Sequence, residues 1–559
     1  MDMITAHLGT LEPLVTDTLA RIGAESVIER IWQRDHTVWS DSPQEIENRL
    51  GWLDLPDTMR TETERLREFA ASARLDGLSA AVLLGMGGSS LAPEVFIKTF
   101  GAAEGFMNLS VLDSTHPDAV AALERRLDLE RTLFIVSSKS GGTAETLSMF
   151  KYFWNRVAQT VGDDGAGRHF VAVTDPGTSL ETLGRSLGFR EVFQADPNLG
   201  GRYSALSHFG LVPASLIGVD LDRLLASATE AARASAEPSA TGANAAATLG
   251  AVLGACANAG RDKATFVTSP GLASFGDWVE QLIAESTGKD GRGILPVVGE
   301  PVGTPDLYGD DRVFIGLSLA GEDGDDAALD ALAEAGHPVV RFELADVYGL
   351  GAQMFLWEMA VALAGHVTGI HPFDQPDVEA AKVLAREAIA AYREQGSLPA
   401  EEPTAVAGDV DILGIDEVSP AAAVADLLSA GQPGDYVSIQ AFVPPDERTD
   451  AALAAVRVAI RGATRMATTV GYGPRFLHST GQLHKGDSGR GLFIQMISDG
   501  AEDLAVPDDA GSPTSSLTFG VLTSAEASAD RRVLLDRGRR VLGLRIRGDV
   551  ASTIGRLTP

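Results

Sequence analysis

Residues 137–146 read SSKSGGTAET and connect an apolar segment, TLFIV, to a segment with helical character, LSMFKYFWNRV. An apolar strand that runs directly into a turn and a helix is typical of parallel α/β sheets. Glycines let the backbone approach a ligand, while hydroxyls and the free N–H groups at the start of a helix bind anions. The stretch therefore predicts a phosphate-binding turn, with Ser138, Ser140 and Thr143 as donors and Lys139 adding its charge or its backbone N–H.

The same alternation of strand, turn and helix recurs along the chain and predicts the fold class. A first set of apolar segments comprises AAVLL, LSVLD, TLFIV, HFVAVT and EVFQ. A second set follows an alanine-rich stretch and comprises KATFVT, GILPVV, RVFIGLSL and PVVRFEL. Apolar strands that alternate with helices form parallel sheets covered on both faces. We therefore predict an α/β protein with two doubly wound parallel-sheet domains.

The predicted domain boundaries follow from changes in this pattern. We expect a helical N-terminal segment over residues 1–75, a first sheet domain over 76–215, a second over 216–398 and a C-terminal α/β domain over 399–559. Residues 396–410 are predicted to form a linker, because proline, glycine and acidic residues occur there without periodicity. C-terminal strands are expected in YVSIQAFVP, GLFIQMI, SLTFGVLT and GLRIRG, a loop in DDAGSPTSS, and one basic helix face in residues 530–548.

Composition and charge exclude several classes of protein. The net charge of −32 disfavours binding to nucleic acid or to anionic lipid. No apolar run approaches the ~18–20 residues of a membrane span. The N-terminus lacks the basic and apolar regions of a signal peptide. A single cysteine, Cys256, excludes an internal disulfide framework and fits a reducing compartment. We therefore expect a cytoplasmic protein without a nucleic-acid or membrane partner.

Two glycine-containing turns offer further binding residues. GMGGSS, residues 85–90, follows a predicted strand and contains Ser89. Because the carboxyl ends of adjacent parallel strands face one crevice, this turn and SSKSGGTAET point to one site. GGRYSALS, residues 200–207, places Arg202 on a tight turn after Gly201, where a guanidinium can stabilise a phosphate or an oxyanion. Taken alone, the first could be a connector and the second a surface ion pair.

Two later motifs contain a candidate base and a candidate cation. QLIAESTGK, residues 281–289, places Gln281 and Glu285 four residues apart, hence on one helix face. Glu285 is a candidate general base. IHPFDQPDVEAAK, residues 370–382, holds Gln375 in a proline-broken turn and Lys382 on the helix that follows. Taken alone, Glu285 could be a surface residue of an amphipathic helix, so the order of the motifs is what favours a functional interpretation.

That order resembles the phosphoglucose isomerase family, whose members contain two sugar-isomerase (SIS) domains. QLIAESTGK together with FDQPDVEAAK is specific, whereas GMGGSS alone is not. The C-terminal segment GYGPRFLHSTGQLHKG looks like the isomerase half of bifunctional transaldolase–phosphoglucose isomerase proteins. The resemblance implies interconversion of glucose 6-phosphate and fructose 6-phosphate in glycolysis and gluconeogenesis, without a metal or cofactor. It also implies that the protein binds a sugar phosphate as its small-molecule partner and that it forms a homodimer.

The resemblance also implies roles for individual residues. Glu285 would move a proton between C2 and C1. Arg202 would stabilise the cis-enediol(ate) intermediate of this transfer. Lys382 would assist near the ring oxygen. Substrate and phosphate contacts would come from Ser89, Ser138, the Lys139 backbone, Ser140, Thr143, Gly201, Gln281 and Gln375.

One departure from the family concerns ring opening. Members of the family carry a histidine a few tens of residues after the catalytic glutamate, but residues 299–317, GEPVGTPDLYGDDRVFIGL, contain none. Three histidines could take this role: His371 beside the FDQ motif, and His478 and His484 in HSTGQLHKG. Alternatively, the enzyme could rely on the open-chain fraction of its substrate or on Lys382.

Three alternatives remain open from the sequence. An isomerase that also accepts mannose 6-phosphate would use the same chemistry. A sugar-phosphate sensor would keep the serine turn but needs neither the base nor the arginine, both of which this chain contains. The C-terminal domain could have its own activity, but HSTGQLHKG shows no metal-ligand spacing and no activated nucleophile. A scaffold that completes the active site fits that segment better.

Overall fold

The computed structural model describes residues 4–238, 244–399 and 401–558, which form three main sheets and one small two-stranded sheet. The strands are β1 (Thr5–His7), β2 (Ala80–Gly85), β3 (Asn108–Leu112), β4 (Thr132–Ser137), β5 (Phe170–Thr174), β6 (Glu191–Gln194), β7 (Lys263–Thr268), β8 (Leu295–Val297), β9 (Arg312–Leu319), β10 (Val339–Leu344), β11 (Ala405–Ala407), β12 (Val410–Leu413), β13 (Tyr436–Phe442), β14 (Ala467–Tyr472), β15 (Gly491–Ser498), β16 (Ala505–Val506), β17 (Leu517–Thr518) and β18 (Arg540–Ile546).

Helices cover and connect these sheets. They are α1 (Glu12–Ala24), α2 (Val27–Trp32), α3 (Leu55–Thr58), α4 (Thr63–Leu75), α5 (Leu91–Phe100), α6 (Pro117–Glu124), α7 (Ala144–Val161), α8 (Asp163–Ala166), α9 (Ser179–Ser186), α10 (His208–Leu216), α11 (Leu221–Ser235), α12 (Ala245–Asn258), α13 (Phe275–Thr287), α14 (Asp326–Glu334), α15 (Gly349–Thr368), α16 (Glu379–Gln395), α17 (Pro420–Ser429), α18 (Glu447–Thr464), α19 (Gly481–Gly486), α20 (Phe519–Asp536) and α21 (Val550–Ile554).

The first sheet brings the two predicted binding turns together. Its order is β3-β2-β4-β5-β6 and all of its strand pairs are parallel. All six residues of β4 are buried, as a central strand covered on both faces requires. Gly85 at the end of β2 is in register with Ser137 at the end of β4, so GMGGSS and SSKSGGTAET leave the sheet side by side. This confirms the five strands predicted for the first domain.

The second sheet confirms four predicted strands and adds one. β10, β9, β7 and β8 are parallel neighbours in that order. The prediction of a wholly helical N-terminal segment is wrong at its start, because β1 pairs antiparallel with the outer edge of β10. Its three exposed residues, TAH, bind through backbone groups and show no apolar alternation.

The C-terminal sheet corrects three predictions. Its order is β11-β12-β18-β15-β13-β14, and the predicted linker 396–410 contains β11 and the first residue of β12. SLTFGVLT is a strand only in its second and third residues; Thr518 then caps α20 by accepting a hydrogen bond from the Val521 N–H. The basic segment 530–548 is not one helix face, because it is divided between α20 and β18. The predicted loop at DDAGSPTSS is confirmed.

One hydrophobic core runs through the N-terminal helices and both parallel sheets, and a second lies within the C-terminal sheet domain. At the centre of the first core α15 packs between α11 and α12, and Cys256 is buried in α12. Among the described residues, α15 is the one helix long and apolar enough to cross a membrane, but 89% of its most apolar window is buried inside the protein. It is therefore a core helix. The domain boundaries stay a prediction.

Candidate active site

The turn between β4 and α7 forms a cradle of hydroxyl and N–H groups. The Ser138 and Thr143 hydroxyls lie 2.9 Å apart, and the Gly142 N–H donates to the Ser140 hydroxyl at 3.3 Å. Gly141 has φ +69°, a conformation that glycine adopts without strain. The free N–H groups at the start of α7 point into this turn, which makes it suitable for an anion.

The predicted cation of this turn is directed elsewhere. The Lys139 ammonium forms an ion pair with Asp175 beyond β5, so its charge is already matched. On the other side of the turn, the Ser137 hydroxyl donates to the Ser89 carbonyl at 3.3 Å, which places buried Ser89 beside the cradle.

Glycines allow three loops to meet next to the cradle. A Cβ atom on Gly88 would lie 2.1 Å from the Gly201 carbonyl oxygen, and one on Gly87 would lie 2.7 Å from the His478 carbonyl oxygen. Such distances are far below van der Waals contact, so the approach requires glycine. The turn after β2 is thereby packed against the Arg202 turn of the first domain and against a loop of the C-terminal domain.

Arg202 is fixed on every side of its guanidinium. The side chain sits on the short 3-10 turn Gly201–Tyr203 and is 2% exposed. Its Nε donates to the Ser286 hydroxyl at 2.8 Å, and Nη1 donates to Gln375 Oε1 at 2.8 Å. Nη1 also lies 3.6 Å from the Glu285 carboxylate. The arginine therefore joins the helix of the candidate base to the turn that carries Gln375.

The remaining guanidinium nitrogen is bonded to that turn. Nη2 donates to the carbonyl oxygens of Pro372 at 2.6 Å and of Asp374 at 3.0 Å. A guanidinium oriented by so many acceptors presents its charge in one direction, as stabilisation of a developing oxyanion requires.

Glu285 and Gln281 face the same side of α13, as their spacing predicts. Gln281 Nε2 donates to Glu285 Oε2 at 3.0 Å and to the His478 carbonyl at 2.7 Å. The Glu285 side chain is 14% exposed, so the carboxylate is shielded without being sealed off. Gln281 thus connects the candidate base to the loop that contains His478.

Lys289 is a site residue that the sequence interpretation did not single out. Its ammonium is 1% exposed and donates to the carbonyls of His371 at 2.8 Å and Asp374 at 2.6 Å, and to Asp374 Oδ1 at 2.7 Å. Burial, reinforced by the charge of Arg202, lowers the pKa of Lys289 to about 8. The residue fixes the turn 371–375 beneath the guanidinium. Its position at the end of the motif QLIAESTGK is the feature of the sequence that points to it as a site residue.

A cavity of about 430 Å³ opens beside the cradle. Its wall includes Ser140, Gly142, Thr143, Glu145, Lys382, Leu477, His478 and Glu526. Lys382 of α16 therefore faces the same space as the cradle. Within the described residues, no group of three or more His, Cys, Asp or Glu side chains is arranged to hold a metal ion.

Of the three candidate histidines, the structure brings His478 to this cavity. Its Nε2 lies 2.6 Å from Glu145 Oε1. Burial alone would raise the pKa of Glu145, but the charge and hydrogen bond of His478, together with the charge of Lys382, lower it. Glu145 stands in SSKSGGTAET itself, yet the sequence interpretation assigned it no role because its partner lies 333 residues away.

The other two histidines are held elsewhere. The ring of His371 bonds to the Gln44 carbonyl at 3.1 Å and accepts from the Phe373 N–H at 3.1 Å, and burial lowers its pKa. His484 is buried between Ser438 and Gln440, each at 3.3 Å, and burial lowers its pKa well below the usual value. Neither ring lines the cavity.

Two parallel-sheet domains with a hydroxyl cradle, a shielded carboxylate and a fixed guanidinium define the class of aldose–ketose isomerases that act on sugar phosphates. Residues 33–293 match the model of the phosphoglucose isomerase family. A glucose-6-phosphate isomerase of Rubrobacter xylanophilus is 31% identical over 403 residues, which cover 62% of this chain and 91% of that relative. The chain belongs to the phosphoglucose isomerase family.

Solved structures agree with the fold. A hypothetical protein of Thermus thermophilus superimposes with a TM-score of 0.60 at 28% identity, covering 70% of this chain and all of that one. A glucose-6-phosphate isomerase of Chlamydia trachomatis gives a TM-score of 0.51 at 22% identity, over 66% of this chain and 78% of that one. The predicted fold class, two doubly wound SIS domains followed by a C-terminal α/β extension, is confirmed.

Proposed function

We propose that this protein interconverts glucose 6-phosphate and fructose 6-phosphate through a cis-enediol(ate). The observation that carries the proposal is the pair formed by Glu285 and Arg202, 3.6 Å apart, in a chain of this family. Aldose–ketose isomerisation needs one base that serves two adjacent carbons and a cation beside the oxygens that become negative. This pair supplies both.

Phosphate binding is assigned to the cradle. The hydroxyls of Ser89, Ser138, Ser140 and Thr143 and the Lys139 N–H would hold the phosphate at the start of α7. This contact lies remote from the reacting carbons. Binding energy gained there offsets the entropic cost of orienting the sugar. This orientation contributes to the rate enhancement.

Proton transfer is assigned to Glu285. The carboxylate would take the proton from one carbon and return it to the other, a step that contributes about 10²–10⁴-fold. Arg202 would stabilise the enediolate, for about 10²–10³-fold. Gln281, Gln375 and the Gly201 turn would line the sugar, and Lys382, which shares the cavity with the cradle, would assist near the ring oxygen.

Ring opening is assigned to His478, which replaces the histidine missing from residues 299–317. Its support is its place on the cavity wall and its 2.6 Å contact with Glu145, which would orient the ring. The C-terminal domain would then complete the active site rather than carry a separate activity.

The decisive experiment is a coupled assay from fructose 6-phosphate on the wild type and on Glu285→Gln. We expect robust wild-type turnover and a loss of at least about 10²-fold in the variant, with fructose 6-phosphate still bound. Glu68→Gln, an exposed glutamate of α4, is the matched control. Wild-type binding without turnover would identify a sensor instead, and a parallel assay with mannose 6-phosphate decides whether the second aldose is accepted.

The assignment of His478 has its own test. His478→Ala should lower kcat/KM for cyclic glucose 6-phosphate by about 10²-fold, because the general acid–base group is lost. His371→Ala is the comparison, since its ring is bonded to Gln44 outside the cavity and should matter far less. Equal losses in the two variants would contradict the assignment.

The assembly and location are proposed as a cytoplasmic homodimer. The support for the compartment is Cys256, the single cysteine of the chain, which is buried and free. Light scattering coupled to size exclusion measures the assembly directly, and a mass of one chain would overturn the dimer.

A further inference from the structure

A second carboxyl lies behind Glu145, on a helix of the C-terminal domain. Glu526 of α20 is 7% exposed, and its side chain is within hydrogen-bonding distance of Glu145. The Thr115 hydroxyl lies 3.4 Å from Glu526 Oε2 and 2.9 Å from the Thr523 hydroxyl. His478, Glu145 and Glu526 therefore form a row along the cavity wall.

Two buried carboxyls in contact do not both carry a charge at neutral pH, because like charges and burial each favour protonation of one of them. The position of the positive charges decides which one. Glu145 Oε1 lies 2.6 Å from His478 Nε2, and the positive charge of Lys382 also stabilises the Glu145 carboxylate. Glu526 has the neutral hydroxyl of Thr115.

Other charged groups near Glu526 do not reverse this difference. Lys485 of α19 lines the same cavity, but its ammonium lies 2.5 Å from Asp530, one turn further along α20. The charged groups that α16 adds to the cavity wall are Glu379, Lys382 and Arg386. Burial, then the charge of Glu145, raise the pKa of Glu526 well above its usual value, while the pKa of Glu145 is lowered. The shared proton belongs on Glu526.

We propose that Glu526 is a positioning residue: as a neutral acid it donates a hydrogen bond to Glu145 and holds that carboxylate against His478. The inference rests on the proposed function, in which His478 opens the sugar ring. It gives the C-terminal domain two contributions to one site, the histidine and the acid that fixes the orienting carboxylate. Glu526 itself does not touch the reacting atoms.

The location of the proton can be measured without turnover. Infrared difference spectra of wild type against Glu526→Gln at neutral pH should show one neutral carboxylic acid band lost in the variant. Glu447→Gln, an exposed glutamate of α18, should lose none. A wild type whose neutral-acid band is unchanged by Glu526→Gln would overturn the proposal, whatever the activity of the enzyme.

Kinetics test whether the hydrogen bond matters. Glu526→Gln keeps a neutral donor, so kcat/KM should stay within about twofold of wild type. The acidic limb of the pH profile of kcat/KM should not move. Glu526→Leu removes the donor, which makes the Glu145 anion less stable, so the acidic limb should move to higher pH by about one unit.

Each other outcome of the kinetic test counts against the proposal. A limb that moves to lower pH in Glu526→Leu would mean that wild-type Glu526 is charged and repels Glu145. An unmoved limb would mean that the side chain merely fills space. If the leucine variant does not fold, a shifted limb or a large loss in Glu526→Gln overturns the proposal instead. A wild type without isomerase activity would refute the proposed function, while the infrared result would still locate the proton.

Discussion

Arg202 makes the sharpest prediction at the scale of a single residue. Its three nitrogens are divided among Ser286, Gln375 and two backbone carbonyls, a pattern that a lysine ammonium cannot reproduce. Arg202→Lys should therefore lower kcat by about 10²-fold with little change in the KM for fructose 6-phosphate. Steady-state kinetics measure this, and Arg65→Lys, a half-exposed arginine of α4, is the control. A raised KM at unchanged kcat would mean that Arg202 binds the ground state instead.

At the same scale, the sequence shows which residue types a site needs but not which of them meet. Glu285 and Gln281 were predictable because four-residue spacing on a helix places them together. Lys289 and Glu145 lie inside recognisable motifs, but their roles cannot be predicted from the sequence because they depend on contacts with Asp374 and with His478. The burial of His484 was equally invisible, since Ser438 and Gln440 lie more than forty residues away.

At the scale of elements, the glycine turn after β2 tests how closely the loops must approach. Gly88→Ala would place a Cβ atom 2.1 Å from the Gly201 carbonyl, and the backbone would have to move. We expect a loss of about 1–3 kcal/mol in the free energy of unfolding and a lower kcat, because the displaced turn carries Arg202. Gly462→Ala in α18 meets nothing within 4 Å and is the control for both thermal unfolding and activity. A stable and fully active Gly88→Ala would show that the loops need not meet.

The central strands of the sheets, including β13 and β15 of the C-terminal sheet, were predictable for a physical reason that the edge strands lack. A strand buried on both faces must be apolar along its whole length, and β4 is such a strand. β1 lies exposed at an edge and pairs through its backbone, so its sequence shows no pattern. In SLTFGVLT, residues of high β propensity enter a helix because Thr518 supplies the N-cap.

At the scale of the whole molecule, Arg475 connects the three domains. It precedes His478 by three residues in the sequence. It forms an ion pair with Glu94 of the first domain and lies 3.0 Å from Asp113 and 3.6 Å from Asp277 of α13. Burial alone would raise the pKa of Glu94, but the charges of Arg475 and Lys98 lower it to about 2. Arg475→Gln leaves the largely buried carboxylates of Glu94 and Asp113 without their main counter-ion, which should cost about 3–5 kcal/mol at neutral pH and displace the His478 loop.

The pH dependence of that loss distinguishes charge from packing. In the wild type the low pKa of Glu94 means that its contribution to stability is present above the unfolded value of 4.5 and disappears as the pH falls towards about 2. Burial already raises the pKa values of Asp113 and Asp277 in the wild type, and without Arg475 the pKa of Glu94 should rise as well, so the variant gains stability as the pH falls. We therefore expect the difference in thermal unfolding temperature between variant and wild type to shrink from pH 8 to pH 5. Arg126→Gln, at an exposed arginine two residues after the end of α6, should show no difference at either pH. A deficit that stays constant with pH would assign the contribution of Arg475 to packing, and the charge-based connection between the domains would be wrong.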